Sequence, residues 1–154
     1  MIELKVGDKI PNFSAIDNNG DAFDSATFIG KKPVVFYFYP KDNTPGCTAQ
    51  ACSFRDKYED FKDLGAEVIG ISSDSIASHE KFISQYNLPF ILLSDEDKKI
   101  RILFGVKTNL FGLLPGRVTY VADKEGVIQL VFDSFIATNH IPLALEAVKK
   151  MVSK

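Results

Sequence analysis

The sequence predicts an α/β fold in which helices flank a central mixed β-sheet. Apolar runs rich in β-branched and aromatic residues alternate along the chain with segments of helical periodicity. Towards the C-terminus, a pattern of strand, turn and strand indicates an antiparallel hairpin, and a last helical segment follows it. Helices between strands, then a hairpin and a final helix, are typical of an α/β sandwich around a mixed sheet.

The strands are recognised by continuous β-branched and aromatic residues. Residues 34–38 (Val-Val-Phe-Tyr-Phe) have no polar position, which is typical of a central strand covered on both faces. Residues 67–72 form a second run of this kind. Further strands are predicted at residues 89–93, 118–121 and 127–132, with a turn at 123–126, and Asp17-Asn18-Asn19-Gly20 predicts the turn of an N-terminal hairpin.

Helical segments separate these strands. Between Thr44 and about Leu64, the aromatic residues Phe54, Tyr58 and Phe61 recur at spacings of four and three. Other helices are predicted at residues 76–86, 96–104 and 140–151. This topology is that of the thioredoxin fold, predicted here as one domain over residues 1–154 with an N-terminal β-hairpin extension.

Composition narrows the class of protein. The 154 residues are 45% hydrophobic and 25% charged, which fits one globular domain with a single core. The net charge of −2, with both signs interspersed, argues against nucleic-acid binding. No apolar run approaches the roughly 20 residues of a membrane span, and no secretion signal is recognised. We therefore expect no membrane partner and a cytoplasmic location, with an organellar location after loss of a targeting peptide left open.

The two cysteines, Cys47 and Cys52, are too few for a disulfide scaffold. A close pair is more often redox-active or metal-binding. A metal site would require His79 and His140 to converge with the thiols, and neither histidine shows ligand spacing. We expect no metal, and we interpret both histidines as surface or helix-cap residues.

Cys47 is predicted to lie in the first turn of a helix. The preceding strand ends at about Tyr39, and Thr44-Pro45 combines a favoured N-cap residue with a favoured first helical residue. At such a position, unpaired backbone N–H groups and the helix dipole stabilise a thiolate, which is the reactive form of cysteine. The edge where a strand leads into a helix is also where α/β sheets bind ligands.

Cys52 follows five residues later. In an intact helix this separation corresponds to a rise of about 7.5 Å and a Cα–Cα distance of roughly 8–9 Å, whereas a disulfide requires about 4.4–6.8 Å. A disulfide between the two cysteines therefore requires local unwinding of the helix. Either cysteine could instead be a small buried hydrophobe, and this alternative stays open, more so for Cys52.

The order of Pro40, Thr44 and Cys47 matches the P-x3-T-x2-C signature of peroxiredoxins. The string from Tyr39 to Thr48, with a second cysteine five residues after the first, resembles the bacterioferritin-comigratory/peroxiredoxin Q subfamily. Residues 110–121 (Leu-Phe-Gly-Leu-Leu-Pro-Gly-Arg-Val-Thr-Tyr-Val) are similar to a later motif of its plant and cyanobacterial branch.

This resemblance implies a thiol peroxidase for hydrogen peroxide and alkyl hydroperoxides. Cys47 would be the peroxidatic cysteine, oxidised to a sulfenic acid, and Cys52 the resolving cysteine that forms an intramolecular disulfide with it. Thioredoxin or a similar dithiol would then reduce the pair. The resemblance implies no haem, flavin or other cofactor, and it implies a monomer.

The resemblance also assigns the neighbours of the thiol. Thr44 would bind the sulfur or the peroxide through its hydroxyl, in competition with its capping role, and Pro40 would shield the site from water. The chemistry requires a fixed positive charge, for which Arg117 and Arg55 are equal candidates on the residues alone. The resemblance selects Arg117 and implies that Gln50 orients it.

Two other functions stay open at this point. A disulfide oxidoreductase of the same fold would normally carry Cys-x-x-Cys, whereas this chain has four residues between its cysteines. A binding or chaperone module without enzymatic activity would bury inert thiols. Separately, the apolar stretch from Leu110 to Pro115 is predicted to pack close to the peroxide site, and a contact surface is the alternative.

Overall fold

The computed structural model describes residues 3–106, 108–109, 114–134 and 136–152. The helices are α1 (Pro45–Asp63), α2 (Ile76–Tyr86), α3 (Lys99–Phe104) and α4 (His140–Val152). The strands are β1 (Ser14–Asp17), β2 (Ala22–Asp24), β3 (Val34–Phe38), β4 (Glu67–Ser72), β5 (Ile91–Ser94), β6 (Thr108–Asn109), β7 (Leu114–Pro115), β8 (Val118–Ala122) and β9 (Ile128–Asp133).

Seven strands form one sheet in the order β2-β1-β5-β4-β3-β8-β9, and β6 pairs with β7 separately. The central pairs β3–β4 and β4–β5 are parallel, whereas β1–β2, β1–β5, β3–β8 and β8–β9 are antiparallel. The predicted thioredoxin fold with a mixed sheet and an N-terminal hairpin is confirmed. The assignment of residues 1–154 to one domain stays a prediction.

Strand β3 lies between two hydrophobic cores. All five of its residues are buried, and their side chains alternate between the two faces of the sheet. Val35 and Tyr37 join the core formed with α1, α2 and α4. Val34, Phe36 and Phe38 join the core formed with α3 and the N-terminal segment. Because both faces of β3 are covered, the strand is held firmly within the sheet. The loop that leads to α1 begins at its C-terminal end.

The region between β5 and α3 differs from the prediction. The strand runs over residues 91–94 instead of 89–93, and the helix begins at Lys99 instead of residue 96. Asp95 explains the late start, because its carboxylate accepts hydrogen bonds from the backbone N–H groups of Ile100 and Arg101, each at 2.9 Å. A short turn therefore precedes the helix, with Lys98 in a left-handed conformation (φ 64°).

The surface or helix-cap interpretation of the histidines is wrong about their exposure. His79 lies in the first turn of α2 and His140 begins α4, and both side chains are fully buried. Each imidazole has hydrogen-bonding partners for both of its nitrogen atoms, which compensates for the loss of water.

Among the described residues, no helix is both long enough and apolar enough to cross a membrane. Of the apolar stretch from Leu110 to Pro115, residues 110–113 and the side chains of residues 114–115 lie outside the described part of the chain. Its predicted packing near the site therefore stays a prediction.

Candidate active site

The first turn of α1 places Cys47 at the end of β3. Thr44 occupies the N-cap position with an extended backbone (φ −89°, ψ 153°), and Pro45 is the first helical residue. The Thr48 N–H donates to the Thr44 carbonyl oxygen at 2.8 Å and closes the first turn. The side chain of Cys47 is buried, with 1% exposure, and its thiol is free. The predicted position of Cys47 in the first helical turn is confirmed.

Arg117 brings a positive charge to the Cys47 sulfur. This residue directly precedes β8, the antiparallel neighbour of β3, so its side chain reaches the same edge of the sheet. Its Nη2 atom donates to Cys47 Sγ at 3.4 Å, and the guanidinium is itself buried. A buried guanidinium at this distance attracts negative charge at the sulfur position more strongly than in water, because the interaction is screened less there.

Gln50 fixes the orientation of the Arg117 guanidinium. It lies one turn after Cys47 on α1, is fully buried, and accepts a hydrogen bond from Arg117 Nη1 through Oε1. One guanidinium edge therefore contacts both the sulfur and the amide, as a planar fork of donors allows and a lysine ammonium does not. Arg117 Nε and Gln50 Nε2 are buried and have no hydrogen-bonding partner among the described residues.

The approach of Arg117 depends on a glycine that the sequence prediction missed. A Cβ atom at position 46 would lie 3.1 Å from Arg117 Nη2, which is closer than ordinary van der Waals contact. Gly46 therefore leaves the space through which the guanidinium reaches the first turn of the helix. In the sequence this residue is simply the neighbour of Pro45 and Cys47, and the contact across the sheet is not apparent.

The Thr44 hydroxyl makes a different contact from both predicted roles. It forms no capping hydrogen bond and instead donates to the Lys41 carbonyl oxygen at 2.8 Å. The turn from Lys41 to Thr44 places Asn43 in the left-handed region (φ 59°) and brings that carbonyl within reach of the hydroxyl. The predicted capping bond is therefore not formed, whereas the hydroxyl oxygen keeps its lone pairs available.

Comparison with known proteins identifies the family of this chain. The family model described as AhpC/TSA family matches residues 6–131. The chain belongs to this family. Chloroplastic peroxiredoxin Q of Oryza sativa subsp. japonica is 53% identical over 150 residues, which cover 97% of this chain and 69% of that protein. The corresponding protein of Arabidopsis thaliana is 54% identical over 148 residues, covering 96% of this chain and 68% of that protein.

Solved structures give the same result. The peroxidoxin BcpB of Mycobacterium tuberculosis has a TM-score of 0.89 at 34% identity, covering 97% of this chain and 99% of that one. Peroxiredoxin Q of Xanthomonas campestris has a TM-score of 0.83 at 30% identity, covering 91% of each chain. The predicted resemblance is confirmed: this chain is a peroxiredoxin, and its family performs thiol-dependent reduction of peroxides.

The sequence also predicts Pro40, Cys52 and Arg55 as site residues or as candidates for the site. Pro40 is half-buried at the start of the loop that leads to α1, and Cys52 is a partly exposed free thiol on the same continuous helix as Cys47. Arg55 points away from the sulfur, because its Nη1 donates to the Tyr86 carbonyl oxygen at 2.8 Å. Of the two arginine candidates, only Arg117 therefore contacts Cys47.

His140 supports the strand end that carries Arg117. Its Nε2 lies 2.7 Å from the Ser134 carbonyl oxygen, and its Nδ1 lies 2.8 Å from the Thr119 hydroxyl. The Ser134 N–H in turn donates to the Arg117 carbonyl oxygen at 3.2 Å. Burial lowers the pKa of His140 to about 4, and the charge of Arg117 acts in the same direction against the opposing effect of the Ser134 carbonyl.

This buried histidine makes stability depend on pH. The pKa of His140 is about 4 in the folded protein, whereas an unfolded histidine has a pKa near 6.5, so the unfolded chain binds the proton first as pH falls. The His140 contribution is complete above about pH 7, and about 3 kcal/mol is lost as pH falls from 6.5 towards 4.

Urea denaturation of the wild type and of His140→Gln at several pH values isolates this effect. We expect the difference between their free energies of unfolding to be flat above pH 7 and to shrink on acidification. A difference that does not vary with pH would contradict a neutral buried His140.

Among the described residues, one group of side chains has a spacing that could accommodate a metal ion. The ligand atoms of Asp42, Asp74 and His79 lie within 4.8 Å of one another. The sequence prediction considered only cysteines and histidines, and it therefore missed this cluster. Its polar atoms are already engaged in hydrogen bonds with one another and with neighbouring groups, which favours a structural role.

Proposed function

We propose that this chain reduces hydrogen peroxide and alkyl hydroperoxides with the Cys47 thiolate as nucleophile. The observation that carries the proposal is the contact between Arg117 Nη2 and the buried Cys47 Sγ at 3.4 Å, in the first turn of a helix. A cation and a helix N-terminus stabilise the thiolate together. The same groups face the position where negative charge develops on the peroxide.

In the proposed first step, the thiolate attacks one oxygen of the peroxide. A sulfur–oxygen bond forms, the O–O bond breaks, and the departing hydroxide or alkoxide takes up a proton to become water or an alcohol. Cys47 is left as a sulfenic acid. Arg117 stabilises the departing oxygen, since charge moves towards it in the transition state. The Thr44 hydroxyl rotates from the Lys41 carbonyl to the bound peroxide, and Pro40 limits access of water.

In the proposed second step, the Cys52 thiol condenses with the sulfenic acid to a disulfide and releases water. Both cysteines lie on the continuous helix Pro45–Asp63. Five helical residues separate the Cα atoms by roughly 8–9 Å, so the first turns of α1 must unwind before the bond forms. A dithiol such as thioredoxin then reduces the disulfide and allows the helix to reform.

Mass spectrometry after one equivalent of hydrogen peroxide tests this proposal. The reduced protein is oxidised, alkylated and digested, and the linked cysteine peptides are mapped. We expect an intramolecular Cys47–Cys52 link in most of the protein, and a dimedone adduct on Cys47 when the trap is present from the start. A dimedone adduct on Cys52 alone, or unmodified thiols after exposure, would refute the assignment.

Replacing Cys52 by alanine separates the two steps. We expect the rate constant for Cys47 oxidation to stay within about twofold of the wild type, since Cys52 is not in contact with the reacting atoms. Turnover with thioredoxin should fall about tenfold or more, because the sulfenic acid must wait for an external thiol. Coupled NADPH oxidation measures turnover, and Ser53→Ala is the matched control on the same helix. Unchanged turnover in Cys52→Ala would contradict the resolving role.

The remaining assignments are also proposals. The reductant is a thioredoxin-like dithiol, and the protein works as a monomer; a thioredoxin-coupled assay and light scattering test these points. The curated relatives cited above are chloroplastic, which supports an organellar location beside the cytoplasmic one expected from the sequence. Fractionation of the source cells distinguishes the two.

A further inference from the structure

A buried ionisable pair lies behind the loop that leads from β3 to Cys47. Asp42 belongs to this loop and is 5% exposed, and His79 of α2 is fully buried. His79 Nδ1 lies 2.8 Å from Asp42 Oδ2. Neither residue takes part in the peroxide chemistry described above. Because burying polar side chains away from water is costly, their burial requires a compensating network of hydrogen bonds.

Every side-chain polar atom of this pair has a hydrogen-bonding partner. His79 Nε2 lies 3.0 Å from the Leu93 carbonyl oxygen, which can only accept a hydrogen bond. The Asp42 carboxylate accepts hydrogen bonds from the hydroxyls of Tyr39 at 2.6 Å and Ser78 at 2.8 Å. The Tyr39 hydroxyl also lies 3.5 Å from His79 Nδ1, and Asp42 is linked to α2 through two side chains of that helix, His79 and Ser78.

A second attachment holds the backbone of the same loop. The Asp42 N–H donates to Asp74 Oδ2 at 2.8 Å, and the Ser72 hydroxyl donates to the same oxygen at 2.6 Å. The Ser94 hydroxyl donates to the Asp74 carbonyl oxygen at 2.6 Å. Asp74 is thereby tied to the ends of β4 and β5. The loop is consequently fixed through its side chain to α2 and through its backbone to the sheet.

We propose that His79 is a positioning residue for the peroxide reaction. By binding Asp42 it holds the loop that precedes α1 in place, and the first turn of α1 folds and unwinds next to this fixed loop. This inference rests on the proposed function. Oxidation requires the folded turn, in which Cys47 contacts Arg117, whereas resolution by Cys52 requires the unwound turn. Loosening the loop therefore slows the first step and accelerates the second.

Rapid-quench measurements of the two steps with hydrogen peroxide test the proposal on the full chain. In His79→Leu we expect the rate constant for Cys47 oxidation to fall about tenfold, which corresponds to the loss of one hydrogen bond, and disulfide formation to become several-fold faster. His79→Asn keeps an N–H donor towards Asp42 and should recover part of both changes. Ile83→Ala is the matched control, because it weakens packing of the same helix without touching the loop.

A role in stability alone gives a different result. If His79→Leu and Ile83→Ala lost similar free energy of unfolding and both left the two rate constants within about twofold of the wild type, the proposal would be overturned. Should His79→Leu fail to fold, Asp42→Asn provides the same comparison while keeping the shape of the side chain.

The same experiments distinguish this inference from the proposed function. A wild-type protein that does not consume peroxide would refute the proposed function. Amide hydrogen exchange at Asp42 and Thr44 would then still decide whether His79 holds the loop. Normal peroxide turnover in the wild type, with unchanged exchange at both amides in His79→Leu, would refute only the anchoring role.

Discussion

Replacing Cys47 by serine is expected to reduce peroxide turnover to the rate of the uncatalysed reaction. A serine hydroxyl is protonated at neutral pH, and an alkoxide is too unstable to form beside Arg117 at a useful concentration. The substitution keeps the size of the side chain, and Arg117 Nη2 can donate to the serine oxygen as it donates to the sulfur. Loss of activity should therefore occur in a folded protein. Peroxide consumption with excess dithiol measures the activity, and thermal unfolding measures the fold.

The control is Cys52→Ser, which changes the same atom at the partly exposed cysteine. We expect this variant to retain oxidation of Cys47 by the first equivalent of peroxide, whereas Cys47→Ser should leave Cys52 unmodified over the same time. If Cys47→Ser kept wild-type activity while Cys52→Ser lost it, Cys52 would be the nucleophile and the proposed roles would be reversed.

The features of this molecule that could be predicted are those that depend on the pattern of neighbouring residues in the sequence. The alternation of side chains in β3 predicts a strand covered on both faces, and the structure distributes Val35 and Phe36 between two cores as that alternation requires. The Thr44-Pro45 signal predicts the start of α1 and hence the position of Cys47. These features depend on residues within a few positions of one another.

The unpredicted part depends on contacts between distant residues. His79 is 37 residues from Asp42, and no periodicity indicates that the two side chains will meet in the interior. The space beside Gly46 is needed because Arg117 passes there to reach Cys47. The sequence does not reveal this, since Arg117 and Cys47 are 70 residues apart. The hydrogen bonds that the Asp95 side chain accepts from the first turn of α3 could not be predicted either, although the residues are close in sequence. They depend on the conformation of the turn between β5 and α3.

Replacing Arg117 by methionine is expected to lower the rate constant for Cys47 oxidation by about 10²–10³-fold, the range for removing one preorganised donor from a site of developing negative charge. Arg117→Lys should give an intermediate loss, because an ammonium keeps the charge but cannot bind the sulfur and the Gln50 amide with one planar group. A competition assay against another peroxidase measures the rate constant.

Arg55→Met is the matched control, since it removes the other arginine that the sequence alone could not distinguish. Its guanidinium binds the Tyr86 carbonyl oxygen and Asp56, so we expect the oxidation rate constant to stay within about twofold of the wild type. Equal losses in Arg55→Met and Arg117→Met would mean that net charge, and not contact with the sulfur, governs the reaction.

The double variant Arg117→Met/Gln50→Met separates catalysis from stability. Within the part of the chain that the structure describes, buried Arg117 Nε and Gln50 Nε2 have no hydrogen-bonding partner, so the pair carries an uncompensated cost of desolvation. Replacing a whole buried polar pair by apolar side chains of similar volume is often neutral or stabilising. We therefore expect the double variant to unfold at a urea concentration at least equal to that of the wild type while oxidising Cys47 as slowly as Arg117→Met. A strongly destabilised double variant would instead mean that the arginine is retained for folding, and its contact with Cys47 would no longer be evidence for a catalytic role.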